Sequence, residues 1–381
     1  MKYTLRSLNL VESAGIGATA TFMPLFANSI TNSYFLVGAI VAGYGLAQAV
    51  SYAYFAKQYD KRGGKSRLFL IRVGYLLCAA AFFIHLAVFD GLSLFAVRIF
   101  AGVATGIYAG ALIAKAYEAT DKKVVLAGII SFGSLGWFVG TVGAGALKEA
   151  FGGDANIVFS LSGAMFLAGF VISFFLKDYK QETENQQVNL KSSATIQILK
   201  QNKMVYGSFF LRQMGASAVW SIFPIFLAKD LGASDLWIGV IYATNAMTQF
   251  IFMNRFGHLI QANYYKSIEL GAAFSAAVFI AYFVSQSYVH VFPIQVLLGV
   301  SWSFLYIGSL LFLLDRNKEK ATSSALLEST ISVGAIVGPL GGGIVAELFG
   351  LRGVLLFGFA ITLGSFAMSK QLEKQAVSAK S

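Results

Sequence analysis

Acidic side chains are scarce in this chain. Of 381 residues only 18 are Asp or Glu, against 29 Lys and Arg, and charged residues make up 12% of the sequence while hydrophobic ones make up 57%. So little charge excludes an ordinary water-exposed surface, where about a quarter of residues are charged. A single cysteine, Cys78, excludes an intramolecular disulfide. The three histidines, His85, His258 and His290, are too dispersed to form a metal cluster or to pair with that cysteine as a nucleophile. There is no HExxH, no His/Asp cluster and no nucleotide-binding loop, so an integral membrane enzyme would lack a reactive constellation, and no cofactor or metal is expected. The net charge of +11 invites a nucleic-acid reading, but the cations sit in short clusters between apolar runs rather than on one basic face. No nucleic-acid partner is expected.

What is present is a series of apolar runs of roughly 20 residues, enough to cross a ~30 Å hydrocarbon core as helix. They predict twelve spans at 7–28, 35–56, 68–88, 92–116, 124–147, 156–176, 204–228, 236–256, 267–285, 289–314, 321–347 and 352–370. The runs are too long and too uniformly apolar for barrel strands. Met1–Arg6 is basic, but the stretch behind it is span-length and lacks a small-residue cleavage pattern, so it is expected to be the first membrane helix. With an even number of spans both termini share one side. Of the 29 Lys and Arg, 24 fall on that side, three (Lys148, Lys229, Arg352) fall opposite, and Arg98 and Arg212 lie within spans. Cations concentrate on the cytoplasmic side, which predicts cytoplasmic termini and a multi-pass cell-membrane protein.

The sequence repeats internally. Glu12 and Pro24 recur as Arg212 and Pro224 at an offset of 200. Gln48/Gln249 and Asp60/Gln261 follow at 201, Arg98/Gln295 and Gly102/Gly299 at 197, and Gly140/Gly338 at 198. An ordered set with matching span numbers points to a duplicated six-helix unit, with substrate near the midplane between the halves. The expected fold class is therefore all-α integral membrane, with pseudo-symmetric six-helix bundles at 1–176 and 204–381 joined by a hydrophilic cytoplasmic linker, 177–203.

Three stretches carry motifs. The loop between spans two and three reads AKQYDKRGGK, with Asp60, Lys61, Arg62, Gly63, Gly64 and Lys65. The paired glycines permit a tight turn, Asp60 is suited to cap the positive N-terminus of span eleven near Thr322–Ser324, and the cations are suited to pair with Glu118 or Asp121. Positive-inside topology explains the cations equally well, but not Asp60 or the glycines. Span four reads RIFAGVATGIYAG, an arginine followed by Gly102, Gly106 and Gly110 at helical spacing, which makes a close-packing stripe. Span eleven reads GAIVGPLGGG: Gly334, Gly338, Gly342 and Gly343 admit a close neighbour, and Pro339 frees a carbonyl so that the helix can bend.

Together with span count and repeat, these stretches resemble the major facilitator superfamily, whose loop pattern is roughly G-x-L-x-D-R-x-G-R-K and whose span-eleven pattern is G-x-x-x-G-P-x-x-G-G. The resemblance covers the whole chain. It implies alternating access between two six-helix halves, a cytoplasmic latch at Asp60–Lys65, and a proton-coupling role for Arg98. In the proton-coupled antiporter branch the proline motif belongs to span five, where this chain has Gly136, Gly140 and Gly145 but Thr141 for proline and Ala144 for glycine. The sugar-porter loop signature is absent.

Outside the motifs, Glu12 and Arg212 stand out as repeat-equivalent charges on spans one and seven. A carboxylate in an apolar setting can take up and release protons near neutral pH, and an arginine across a cavity would make that depend on conformation. Glu12 is expected to carry the proton and Arg212 to sense or replace it, the alternatives being a static ion pair or a Glu12 near enough to the cytoplasmic interface to stay hydrated. Glu269 and Glu328 are secondary candidates, Glu328 with the latch, and His85 is expected at the interface. For substrate, Gln48 shares a helix face with Tyr44 and Tyr52, and Gln249 shares one with Asn245; Trp220, Gln295 and Tyr306 complete the expected lining. Aromatic and amide groups suit an amphipathic or cationic compound, and equally a sugar. The expected function is proton-coupled efflux of a small amphipathic compound by a monomer. Sugar or organic-anion uptake, by symport or facilitated diffusion, stays open, as does a channel or a non-transporting receptor.

Overall fold

The computed structural model describes residues 2–117, 122–176, 192–317 and 319–378, and among them there is no strand. The helices are α1 (Lys2–Thr31), α2 (Tyr34–Ile84), α3 (Gly91–Tyr117), α4 (Lys122–Ala150), α5 (Asn156–Ser173), α6 (Ser192–Gln201), α7 (Lys203–Trp220), α8 (Phe223–Lys229), α9 (Asp235–Ala262), α10 (Tyr264–Val284), α11 (Val291–Arg316) and α12 (Lys320–Ser378). α2 carries two apolar segments, Tyr34–Phe55 and Leu68–Ala87. α12 likewise carries two, separated at Gly350, whose φ of 72° lies in the left-handed region that a glycine enters without a Cβ penalty. With α7 and α8 counted as one interrupted span, these helices supply the twelve crossings expected, each within a few residues of its sequence-predicted bounds. The chain is a multi-pass, all-helical membrane protein.

Local chemistry sets the helix ends. Ser33 accepts from the Leu36 amide and Asn263 from the Lys266 amide, capping α2 and α10. The repeat-equivalent prolines behave differently. α1 runs unbroken through Pro24, whereas the helix stops at Trp220 and restarts at Phe223, beside Pro224. Helix α6 was not foreseen within the hydrophilic linker. It folds because Ile198 turns into a core with Val205, Tyr206 and Phe209, while Ile196 and Leu199 stay exposed.

The chain forms two compact units, Met1–Thr183 with Pro224–Met247, and Glu184–Phe223 with Thr248–Ser381. In the first, α1 packs on α4 and α5, and α2 on α3 and α5. In the second, α12 packs on α7 and α10, and α10 on α11. Helices in lipid gain little from apolar burial against one another, so close approach matters, and glycines provide it. A Cβ at Gly140 would strike the Ala14 carbonyl, and one at Gly338 the Met214 carbonyl. A Cβ at Gly74 would meet Tyr108, and one at Gly271 would meet Leu305. These paired crossings repeat at the offsets read from the sequence, so the duplication extends to packing. In span four, Gly102 and Gly106 lie against the backbone of Tyr44 and Gln48, as the stripe predicted.

Candidate functional site

In the first unit, Glu12 lies partly buried on α1, facing the second segment of α2 and α3. The Tyr75 hydroxyl stands 3.3 Å from Glu12 Oε2 and 3.3 Å from the Leu8 carbonyl, both within donating reach. Tyr108 packs against Tyr75 at 4.6 Å between ring centroids. Its hydroxyl, fully buried beside the carboxylate, has no hydrogen-bond partner of ordinary geometry. Farther along, Tyr44 donates to Thr105 at 3.2 Å, and Thr105 donates to the Ala101 carbonyl at 2.8 Å. The Cys78 thiol lies 3.6 Å from the same Thr105 oxygen. Arg98 is 5% exposed, with its guanidinium 4.1 Å from the centroid of the Tyr44 ring. An inward-packed arginine in a membrane span usually serves a cavity or a partner.

In the second unit Arg212 is 3% exposed. Its Nε donates to Ser275 at 3.0 Å, Ser275 lies 2.6 Å from Ser301, and Ser301 donates to the Gly271 carbonyl at 2.8 Å. The guanidinium also lies 4.9 Å from the Trp302 ring centroid and donates to Gln213 at 3.4 Å. Each unit sets a hydroxyl beside its span-one or span-seven charge, Tyr75 beside Glu12 and Ser275 beside Arg212, although at the offset of 197 that relates Gly74 to Gly271 the counterpart of Tyr75 is Ala272. Trp302 stacks on Tyr306 at 5.5 Å with 11° between planes, and Tyr306 donates to Glu328 at 2.8 Å. Phe209 meets both rings edge-on.

The structure brings together some predicted residues and separates others. Tyr44 joins Arg98; Gln48 lies partly buried one turn on, and Tyr52 is exposed. Asn245 is buried, Gln249 partly so, and Trp220 meets Phe223 at the end of α7. Gln295 is fully buried, so it does not line an open face. His85, expected at the interface, is also fully buried, donating from Nδ1 to the Ala81 carbonyl and stacked between Phe82 and Phe159. Gly334, Gly338 and Gly342 press on α7 at Gln213, Met214 and Ala218, with Pro339 and Gly343 buried in the same stretch of α12. Glu118 and the side chains of Asp60, Lys61, Arg62, Gly63, Gly64 and Lys65 lie outside the described residues. A cavity of about 450 Å³ opens in the second unit between α6, α7 and α12, with Lys203, Tyr206, Phe210 and Leu326 on its walls, and none of the predicted lining residues reaches it. Among the described residues no group of three or more His, Cys, Asp or Glu could hold a metal.

A duplicated six-helix pattern, with charges at equivalent places on spans one and seven, glycine-packed crossings and a proline-bearing span eleven, matches one family model. The model described as Major Facilitator Superfamily matches residues 7–316 and 205–375. The chain belongs to the major facilitator superfamily. It is therefore a membrane-embedded transporter of small molecules. Among curated proteins it is similar to "Multidrug resistance protein MdtG" of Proteus mirabilis (strain HI4320), 28% identical over 178 residues. That match takes in 45% of this chain and under half, 44%, of the relative's length. Among solved structures, a point mutant of the nucleoside transporter NupG superposes with a TM-score of 0.83 over 97% of this chain and 99% of its own, at 13% identity. A second NupG structure gives 0.80 at 14% identity, covering 98% of each chain. At such identity the likeness establishes the fold.

As a superfamily transporter, the chain holds two distinct polar centres. The first sets a carboxylate beside two phenol hydroxyls. The second offers a permanent cation held by neutral groups and an aromatic face. Tyr75, Tyr108, Thr105, Ser275, Trp302 and Phe209 were not singled out in the sequence.

Proposed function

We propose that the protein is a proton-coupled exporter of small amphipathic compounds, resident in the cell membrane with cytoplasmic termini, in which bundles 1–176 and 204–381 rock about a central site. The observation that carries this reading is Glu12, a carboxylate inside a membrane helix whose described contacts are hydroxyls rather than a cation. Such a group is costly unless it is used, and binding a proton removes the cost. The partial likeness to a multidrug resistance protein supports an exported, weakly polar substrate. Arg98, set over Tyr44, is the expected partner of the proton cycle, and the Trp302–Tyr306 stack offers a flat apolar surface to the substrate.

Proteoliposomes loaded with a pH-sensitive dye test this reading, with tetraphenylphosphonium, sugars and organic acids added outside in turn. Wild type is expected to move protons with one compound class, and Glu12→Gln to lose at least nine-tenths of that signal. Equal proton movement by the variant would overturn the assignment. A second reading has its own support. Arg98 and Arg212 are buried with neutral groups in their described contacts, an arrangement that suits an organic anion. If organic acids alone exchange, and Arg212→Gln abolishes exchange, uptake of an anion replaces efflux.

A further inference from the structure

Tyr108 is an uncommon residue in its setting. Buried hydroxyls nearly always find a partner, yet that of Tyr108 finds none at hydrogen-bonding geometry, and its ring cannot swing to seek one. The Tyr108 Cβ stands where a side chain on Gly74 would be, and its ring is wedged between Tyr75 and Phe166. The charged group beside its hydroxyl is Glu12. Tyr75 alone does not hold that carboxylate, because its single proton is shared between Glu12 and the Leu8 carbonyl at equal distance.

We propose that Tyr108 is a positioning residue for Glu12, forming with Tyr75 a two-phenol clamp that grips the carboxylate and changes hydrogen-bond direction when the proton arrives. The proposal rests on the reading of Glu12 as the proton-carrying site. With the carboxylate ionised, both phenols donate to it. With a proton on the carboxyl, its new O–H donates to the Tyr75 oxygen, the Tyr75 proton turns to the Leu8 carbonyl, and Tyr108 keeps donating to the remaining carboxyl oxygen. Each state leaves every buried polar atom of the trio paired, and only one proton enters or leaves. Among the described residues, the other titratable groups acting on this carboxylate are Cys78, on the same segment as Tyr75, and Tyr44 on the first segment of α2. α4 and α5 present Gly136, Phe166 and Gly169 to this stretch of α1, none of which titrates.

Infrared difference spectroscopy of the purified full-length protein across a pH titration tests the clamp without needing a substrate. The carboxylic acid carbonyl band that disappears in Glu12→Gln reports protonation of Glu12. Tyr108→Phe and Tyr75→Phe each remove one oxygen and keep the ring, and each is expected to move the midpoint of that band upward by about one pH unit, because a donor to the ionised form is lost. Adding Tyr108→Phe to Glu12→Gln is expected to leave the remaining bands where they were. An unchanged midpoint in both phenylalanine variants overturns the clamp and leaves the coupling reading intact. A shifted midpoint in a protein whose Glu12→Gln variant still pumps protons keeps the clamp and removes the coupling role. If no band depends on Glu12, both fall.

Discussion

Arg212 is an always-charged side chain met by a serine hydroxyl, an amide oxygen and an indole face, without a carboxylate among its described contacts. Each contact is a dipole or quadrupole oriented toward the cation, and the serine is itself polarised by Ser301 and the Gly271 carbonyl. Replacing Ser275 by alanine leaves the Nε–H buried and unpaired. The expected loss of stability is about 1–3 kcal/mol, the cost of a buried polar group without its partner, read as a lower unfolding temperature in detergent. Ser301→Ala, which removes only the relay behind Ser275, is expected to cost less than half of that. Glu12 and Arg212 were legible in the sequence because a charge interrupting an apolar run is conspicuous. Tyr75, Tyr108 and Ser275 were not, since each is an ordinary span residue whose role comes from a helix more than 60 residues away.

At the scale of elements, close crossings and end contacts decide what a substitution does. Gly338 has the Met214 carbonyl where a Cβ would go, whereas nothing lies within 4 Å of a Cβ at Gly143. Gly338→Ala is therefore expected to destabilise by about 1–3 kcal/mol through overpacking. Gly143→Ala is expected to be neutral or stabilising by up to about 1 kcal/mol, because alanine restricts the unfolded chain. Thermal unfolding of the two variants side by side checks both. At the far end of α4, Lys148 pairs with Asp235 at 2.7 Å, the side chains 12% and 19% exposed, and Glu149 accepts from the Leu236 amide at 2.9 Å. Asp235→Asn is expected to cost about 1–2 kcal/mol, more than an open surface pair, because the contact is partly shielded from water. An unfolding temperature equal to wild type would show that the shielding is ineffective. Before α3, Asp90 accepts from the Ser93 amide, and this hydrogen bonding, with that of the Ser93 hydroxyl, holds its carboxyl below the usual range. A depressed carboxyl contributes its stability above the unfolded-state value and loses it as pH falls through the folded one. The protection of amides in the first turn of α3, taken relative to intrinsic exchange at each pH, is therefore expected to fall on acidification, and Asp90→Asn to lose that pH dependence.

For the whole molecule, transport requires two states of similar free energy, so small local contacts shift populations measurably. The segment Asp60–Lys65, which the superfamily resemblance marks as a latch and which runs as helix within α2 where the paired glycines led to a loop with a tight turn, belongs to this scale. Asp60→Asn is expected to move the population away from the outward-facing state, read as altered distance distributions between spin labels at the cytoplasmic ends of spans two and eleven. Unchanged distributions would remove the latch role and leave those cations to topology. The about 450 Å³ cavity between α6, α7 and α12 shows the same dependence on assembly, because its walls come from segments more than 100 residues apart.

The sequence by itself determined the class of this protein: membrane solvent, twelve crossings, a duplicated unit and a superfamily, because hydropathy and repeat spacing are properties of the chain alone. It also exposed the two charges at the heart of the candidate site. Only the tertiary structure decided what those charges touch. It put Glu12 against phenols, Arg212 against serine and indole, and Gln295 and His85 inside the packing rather than on an open face, because hydrogen-bond partners and burial depend on helices brought together from distant parts of the chain.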